Sequence, residues 1–136
     1  RFLPPRLRNG ATIKGGLIAD GCKIGRGAVI ENSVIGLRSI IGENVTIRNT
    51  VTMGADAYEL DSELKANRAS GTPPIGIGNG SFIEGAILDK NCRIGQRVRI
   101  HNERKVETRG EDEPCIIREG IPIVVKEGIL PDGWKL

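Results

Sequence analysis

The sequence predicts an all-β domain that winds into a parallel β-helix of hexapeptide repeats, interrupted by two inserted loops. Branched aliphatic residues recur every five or six positions along most of the chain. Glycine accounts for 19 of the 136 residues, whereas aromatic residues make up only 3%. Residues that tolerate a positive φ stand near many of the aliphatic positions, as the corners of short coils require. These three observations favour narrow, stacked, aliphatic coils.

The aliphatic positions fall into three runs, with steps of five or six residues inside each run. The predicted inward-facing anchors are Ile13, Ile18, Ile24, Ile30, Ile35, Ile41 and Ile47, then Ile77, Ile83, Leu88, Ile94 and Ile100, then Ile117, Ile123 and Ile129. Three steps make one coil of 17 residues, so anchors 17 apart should stack. Branched side chains suit short flat strands, and repeated layers bury a continuous column.

The corners of the coils are predicted where Gly, Asn or Asp follows an anchor by about three residues. These residue types adopt positive φ at the lowest cost. The predicted corner residues are Gly16, Gly21, Gly27, Asn44, Gly80, Asn91, Gly120 and Asp132.

Two segments break the rhythm and are predicted to be insertions that leave the prism at a corner. In residues 53–76, Leu60 and Leu64 lie four apart among charged residues, which predicts a short amphipathic helix ended by the sequence SGTPP. Residues 102–114 form a polar stretch of mixed charge. Long loops of this kind often carry function or meet a partner.

The composition excludes several classes of protein. A net charge of +3 is too small to predict nucleic-acid binding, and no apolar run reaches the length of a membrane span. No signal peptide is present, and three cysteines without paired spacing favour a reduced intracellular setting and predict no metal site. Residues 1–136 are predicted to form one domain, and the opening RFLPP, without methionine, suggests a piece of a longer protein.

The only histidine, His101, is the candidate catalytic residue if the domain is itself an enzyme. Acyltransferases built from hexapeptide repeats use a histidine as general base. Because His101 directly follows Ile100 and opens a polar loop, a bystander role is the stronger interpretation, and no catalytic residue is predicted. A hexapeptide acyltransferase stays as the alternative function, and a purely structural oligomerisation module is a further one.

Six stretches of the sequence occur in an order that resembles one known family. They are RFLPP from Arg1, SVIGLRSIIGENVTI from Ser33, MGAD from Met53, PPIGIG from Pro73, LDKNCRIG from Leu88 and IIREGIPIVVKEGILPDG from Ile116. The series is similar to the C-terminal domain of ADP-glucose pyrophosphorylase, also called glucose-1-phosphate adenylyltransferase, and it covers the whole chain.

The resemblance implies a left-handed β-helix with a regulatory and assembly role in a nucleotidyltransferase. The parent enzyme makes ADP-glucose and pyrophosphate from ATP and glucose 1-phosphate for glycogen or starch synthesis. Its catalytic domain, with Mg and ATP, is expected N-terminal to Arg1, so no cofactor is expected in residues 1–136. The implied partners are that catalytic domain, other subunits of a tetramer and anionic metabolites, with no nucleic acid or membrane. The implied location is the cytoplasm of a bacterium or the plastid of a plant.

The resemblance also implies an effector site for phosphate and sugar phosphates. The family's two effector lysines correspond to Lys90 in LDKNCRIG and Lys126 in IVVKEGIL. Asp89 precedes the first lysine as it does in the family, and Arg1 matches an arginine near the same anion site. Phosphate dianions prefer charge-assisted donors such as these.

The repeat adds a geometric condition to this site. Lys90 and Lys126 both lie just after an anchor and hence near a corner of the prism. To hold one phosphate they must lie on the same edge, which requires Ile123 to share a face with Leu88. The length of the insertion at residues 102–114 would determine whether Ile123 and Leu88 share a face.

Overall fold

The structure, a computed structural model, describes residues 10–136 together with the strand Leu7–Arg8, and it consists of short strands wound into stacked three-sided coils. One helix, α1 (Asp61–Ser70), lies between the seventh and eighth strands. The strands, in chain order, are β1 (Leu7–Arg8), β2 (Thr12–Ile18), β3 (Lys23–Ile24), β4 (Val29–Ile35), β5 (Ile40–Ile41), β6 (Thr46–Arg48), β7 (Val51–Thr52), β8 (Gly76–Ile77), β9 (Phe82–Glu84), β10 (Ile87–Leu88), β11 (Arg93–Ile94), β12 (Arg99–Ile100), β13 (Thr108–Arg109), β14 (Cys115–Arg118), β15 (Ile121–Val124) and β16 (Ile129–Leu130).

The strands form the three faces of a prism. The first face is the parallel sheet β1-β3-β5-β8-β11-β16. The second face contains β6, β9 and β12, and the third contains β7, β10 and β15. The long strands β2 and β4 turn a corner and belong to both of these faces, because β4 pairs with β6 through residues 29–31 and with β7 through residues 34–35.

The core consists of three columns of aliphatic side chains, one behind each face. The strand register stacks Ile13, Ile30, Ile47, Ile83 and Ile100 on the second face, Ile24, Ile41, Ile77, Ile94 and Leu130 on the first, and Ile18, Ile35, Thr52, Leu88 and Val124 on the third. This confirms the predicted 17-residue stacking. Each fully buried side chain contributes about 1.5–3 kcal/mol relative to exposure to water.

The predicted corners are confirmed at six of the eight positions. Positive φ angles occur at the coil corners Gly16, Gly21, Gly27, Asn44, Gly80 and Asn91. Gly120 also has a positive φ, but it lies in the hairpin turn between β14 and β15 and not at a corner of a coil. The prediction for Asp132 is wrong, since the left-handed residue of that turn is Gly133, at φ 75°. The Asp132 carboxylate instead accepts a hydrogen bond from Gln96 N–H at 2.8 Å, which links two coils.

The Ile-Gly pair that recurs along the chain has a steric cause. A Cβ atom added at Gly25 would lie 2.6 Å from the carbonyl carbon of Gly42 in the next coil, and one at Gly78 would lie 2.5 Å from that of Gly95. The backbones of adjacent coils are therefore in close contact immediately after these inward isoleucines, and only glycine, which lacks a Cβ atom, fits there.

The third run of anchors is shifted by one residue from the prediction. Val124 and Leu130 are fully buried, whereas Ile123 is half-buried and Ile129 is 45% exposed. Ile117 is buried, but it lies in β14, which pairs antiparallel with β15 and is not a rung of a coil. Side chains alternate between the two sides of a strand. A hairpin that shifts the strand register by one residue therefore turns inward the side chains that were predicted to face outward.

The first insertion contains the predicted helix, but the helix buries none of its residues against the prism. Leu64 is half-buried, and Leu60 precedes the helix as its N-cap and is 66% exposed. The helix ends at Gly71, whose φ of 78° lets its N–H cap the last turn. The predicted short helix is thus confirmed, and its residues lie on the surface of the domain.

The second insertion is more ordered than a polar loop. Its strand β13 pairs antiparallel with β14, which in turn pairs with β15, so that the third face continues outward as a hairpin. Across each insertion the pairing partners lie 36 residues apart in place of 17, as in Ile47 with Ile83 and Leu88 with Val124. The prism therefore continues in register past both insertions.

Candidate anion-binding site

One edge of the prism carries the two lysines in successive coils. The residues stacked along this edge are connected by backbone hydrogen bonds: Arg38 N–H to the Asp20 carbonyl at 3.2 Å, Ala55 to Leu37 at 2.9 Å, Asn91 to Gly54 at 3.0 Å and Glu127 to Lys90 at 2.9 Å. The column is therefore Asp20, Leu37, Gly54, Lys90 and Lys126. The two lysines are its last two members, and neighbouring strands lie roughly 4.8 Å apart.

Strand pairing sets this alignment. Ile87 pairs with Ile123 and Leu88 pairs with Val124, so the residues that follow leave the third face at the same corner. The condition that Lys90 and Lys126 share an edge is confirmed. The inward partner of Leu88 is Val124, however, and not the predicted anchor Ile123.

Lys90 already has an anionic neighbour from the first insertion. Its Nζ lies 3.2 Å from Oδ1 of Asp56, and the two side chains are 47% and 58% exposed. Asn91 holds this carboxylate in place: its Nδ2 donates to Asp56 Oδ2 at 3.0 Å, and its Oδ1 accepts from Asp56 N–H at 3.0 Å. The left-handed backbone of Asn91, at φ 60°, places it to do so.

The pKa of the Asp56 carboxyl is lowered from its ordinary value. The hydrogen bond from Asn91 is the largest cause, followed by the hydrogen bond and the positive charge of Lys90. Weak desolvation opposes the shift, and the charge of Lys126 adds to it. Asp56 therefore lies within the field of both lysines and is an ionised carboxylate at neutral pH.

Asp89 and Arg1 complete the predicted set. The Asp89 carboxylate accepts a hydrogen bond from the N–H of Lys90 at 2.7 Å, so it shapes the turn that presents the lysine. Lys126 is exposed and, among the described residues, forms no ion pair. Arg1 lies outside the described residues.

A comparison with models of protein families finds a match that covers nearly the whole chain. The model of the GLGC left-handed parallel beta-helix domain matches residues 1–134. The chain belongs to this family. The predicted left-handed parallel β-helix is thereby confirmed, as is the resemblance to the C-terminal domain of ADP-glucose pyrophosphorylase. The chain is a glucose-1-phosphate adenylyltransferase-related domain of a nucleotidyltransferase family. None of its described helices is long and apolar enough to cross a membrane.

In this GLGC β-helix domain the segment that carries Asp56 is anchored to the prism by a buried carboxylate. Glu59 is only 5% exposed, and it binds Arg93 at 2.9 Å, the N–H of Ile75 at 2.5 Å and Nδ2 of Asn67 at 2.9 Å. Burial raises the pKa of Glu59, but the hydrogen bonds from Ile75 and Arg93 outweigh it, and the net shift is downward. Glu59 therefore ties the two ends of the insertion to each other and to β11.

The cysteine that follows this site in the sequence has a packing role. Cys92 lies on the first face, in the column that also contains Cys22, and both thiols are buried. Burial raises the pKa of Cys92 to about 12 and that of Cys115 to about 11. At neutral pH these two thiols are protonated and are poor nucleophiles.

Sequence reasoning missed Asp56, although the MGAD stretch that contains it contributed to the resemblance. Asp56 and Lys90 are 34 residues apart, and the length of the helical insertion separates them. The repeat period alone could not show this contact, because 34 residues correspond to two coils of 17, whereas the insertion lengthens one coil and places the two residues in adjacent coils.

Proposed function

We propose that this GLGC β-helix is the regulatory and assembly domain of a glucose-1-phosphate adenylyltransferase. The parent enzyme joins ATP and glucose 1-phosphate to give ADP-glucose and pyrophosphate for glycogen or starch synthesis. The chemistry is assigned to its N-terminal nucleotidyltransferase domain, which would hold Mg and ATP. The β-helix is assigned the binding of anionic effectors, with inorganic phosphate or sugar phosphates as the ligands.

The observation that carries the effector role is the stacking of Lys90 over Lys126 on one edge. Two ammonium groups on adjacent coils can donate to different oxygens of the same phosphate, and such charge-assisted hydrogen bonds are the stronger class. Both side chains are exposed, so a soluble metabolite can reach them. Arg1 is proposed as a third cation and Asp89 as the residue that holds the turn.

A shared site of this kind supports regulation by competition. An activating sugar phosphate and inhibitory inorganic phosphate would compete for the same lysines. Activation further requires that the activator bind the active state of the parent enzyme more tightly than the inactive state. The catalytic domain and neighbouring subunits of a tetramer are the proposed partners through which that difference arises.

The assembly role is supported by an apolar ladder on the outside of the third face. The strand register aligns Leu17, Val34, Val51, Ile87 and Ile123 as outward-facing neighbours. Leu17 is 71% exposed, and Val34 and Val51 are 42% and 38% exposed. A contiguous apolar strip of this kind is typical of a surface that a partner covers.

The effector role is tested by Lys90→Ala in the full-length enzyme. Loss of one charge-assisted hydrogen bond should raise the activator concentration at half-effect about tenfold, since about 1.5 kcal/mol is lost. The measurement is enzyme activity titrated with several sugar phosphates and with inorganic phosphate. A purely structural β-helix would leave both curves unchanged, and Lys65→Ala on α1 is the matched control.

Asp56→Asn is expected to have the opposite effect. The carboxylate competes with an incoming anion for Lys90, and its removal should tighten phosphate binding about two- to fivefold, the range of an exposed ion pair. Calorimetric titration with inorganic phosphate at low ionic strength measures the change. Asp20→Asn removes an equal charge from the same edge in a distant coil and should change the affinity less. Equal effects of the two substitutions would contradict a specific Asp56–Lys90 contact.

A further inference from the structure

A second basic surface lies at the C-terminal end of the prism, and neither Lys90 nor Lys126 lines it. It is a cleft of about 480 Å³ between the end of β12, the loop of the second insertion and the last residues of the chain. The cationic side chains that line it are Arg99, Arg104, Arg109 and Lys135. A cleft of this volume is in the range that holds small-molecule ligands.

The positive charge in this cleft is not balanced. Its one acidic side chain, Glu103, forms an ion pair with Arg99. Within the part of the chain that the structure describes, Arg104, Arg109 and Lys135 have no carboxylate at ion-pair distance. Cations that converge on one concave space without carboxylate partners favour an anionic ligand.

The backbone around the cleft is held by hydrogen bonds. Arg99 N–H donates to the Trp134 carbonyl at 2.9 Å, and Leu136 N–H donates to the Arg99 carbonyl at 3.0 Å. Asn102 closes the loop that carries Arg104, since its Nδ2 donates to the carbonyls of Val106 and Gly120 at 2.8 Å each. The backbone of this cleft is therefore built into the fold.

The hydrogen-bond arrangement inside the cleft is incomplete. Nδ1 of His101 is buried and has no hydrogen-bond partner, although Oε1 of Glu103 lies 3.5 Å away. Glu103 is bound by Arg99, whose guanidinium carbon also lies over the Phe82 ring, 4.7 Å from its centroid. A buried nitrogen without a hydrogen-bond partner is unfavourable. An anion that engages Arg99 would free Glu103 to approach His101 and supply that partner.

We infer that this cleft is a second anion site, which takes a small metabolite bearing a phosphate group. Arg104, Arg109 and Lys135 supply the donors, and Arg99 changes its partner from Glu103 to the ligand. Arginine favours phosphate because its planar fork donates two parallel hydrogen bonds. The site does not depend on Lys90 or Lys126 and stands or falls separately from the proposed effector site.

His101 provides a direct readout, because it is the only histidine in the chain. The imidazole signals are followed by NMR in the Lys90→Gln/Lys126→Gln variant while inorganic phosphate or pyrophosphate is added at constant ionic strength. We expect a saturable shift of the His101 signals, with pyrophosphate binding more tightly than phosphate. Adding Arg104→Gln and Arg109→Gln should weaken the apparent affinity at least tenfold.

Lys105→Gln is the matched control, since Lys105 is in the same loop but does not line the cleft. It should leave the His101 titration unchanged, and backbone amide spectra of each variant verify the fold. The proposal is overturned if chloride at equal ionic strength produces the same shift, if the shift does not saturate, or if the Arg104/Arg109 variant titrates like its parent.

Discussion

Replacing Lys90 and Lys126 together by glutamine is expected to weaken phosphate binding about 100-fold. Each ammonium group supplies a charge-assisted hydrogen bond of about 1.5 kcal/mol or more, and 1.4 kcal/mol corresponds to about a factor of ten. The measurement is calorimetric titration of the full-length protein with inorganic phosphate. The Arg104→Gln/Arg109→Gln background removes any contribution from the C-terminal cleft.

The two single variants complete a double-mutant cycle that tests whether the lysines share one anion. If Lys90 and Lys126 contact the same phosphate, their effects should be non-additive, with a coupling free energy of about 0.5 kcal/mol or more. Two independent sites would instead give additive losses, which would contradict the shared site. Lys14→Gln/Lys65→Gln changes the net charge equally, and it should leave the affinity within about a factor of two.

Ile83→Ala is expected to lower the free energy of unfolding by about 2–5 kcal/mol. Ile83 is fully buried and stacks between Ile47 and Ile100 in the column of the second face. Truncation there leaves a cavity that neighbouring coils cannot fill, because the strand hydrogen bonds hold the coils at a fixed spacing. Urea denaturation followed by circular dichroism measures the loss.

Ile129→Ala is the control for this prediction, since it deletes the same atoms from a side chain that is 45% exposed. It should cost less than about 1 kcal/mol, as most surface substitutions do. Equal losses at positions 83 and 129 would mean that Ile129 is an inward anchor after all. That result would contradict the one-residue phase shift in the last coils.

The stacked core could be predicted because its cause is local and repetitive. A period of five or six residues specifies three faces, and a coil of 17 residues then pairs Ile30 with Ile47 without further information. Six of the corners followed from the few residue types that adopt a positive φ cheaply, whereas the corners at Arg38, Arg97 and Glu127 were not predicted. The helix in the first insertion could be predicted from its own residues and from its glycine stop.

The last coils could not be predicted in the same way, because an antiparallel hairpin precedes them. The period continues through Ile117, Ile123 and Ile129, but β14 reverses direction before β15. The sequence does not show how many residues the turn of a hairpin uses, and one residue decides which side chain is inside. The buried positions are consequently Val124 and Leu130.

The candidate site likewise has one part that could be predicted from the sequence and one part that could not. The repeat placed Lys90 and Lys126 just after anchors and hence near corners, and the resemblance directed attention to these two lysines. Their shared edge, and the contact of Lys90 with Asp56, arise from insertions whose lengths restore the register of the prism. The repeat depends on residues that are close in sequence, so it can be recognised from the sequence alone. The alignment of distant segments depends instead on where an inserted loop returns to the prism. That return point is determined by the packing of the coils, and it brings the carboxylate of residue 56 to the lysine at residue 90.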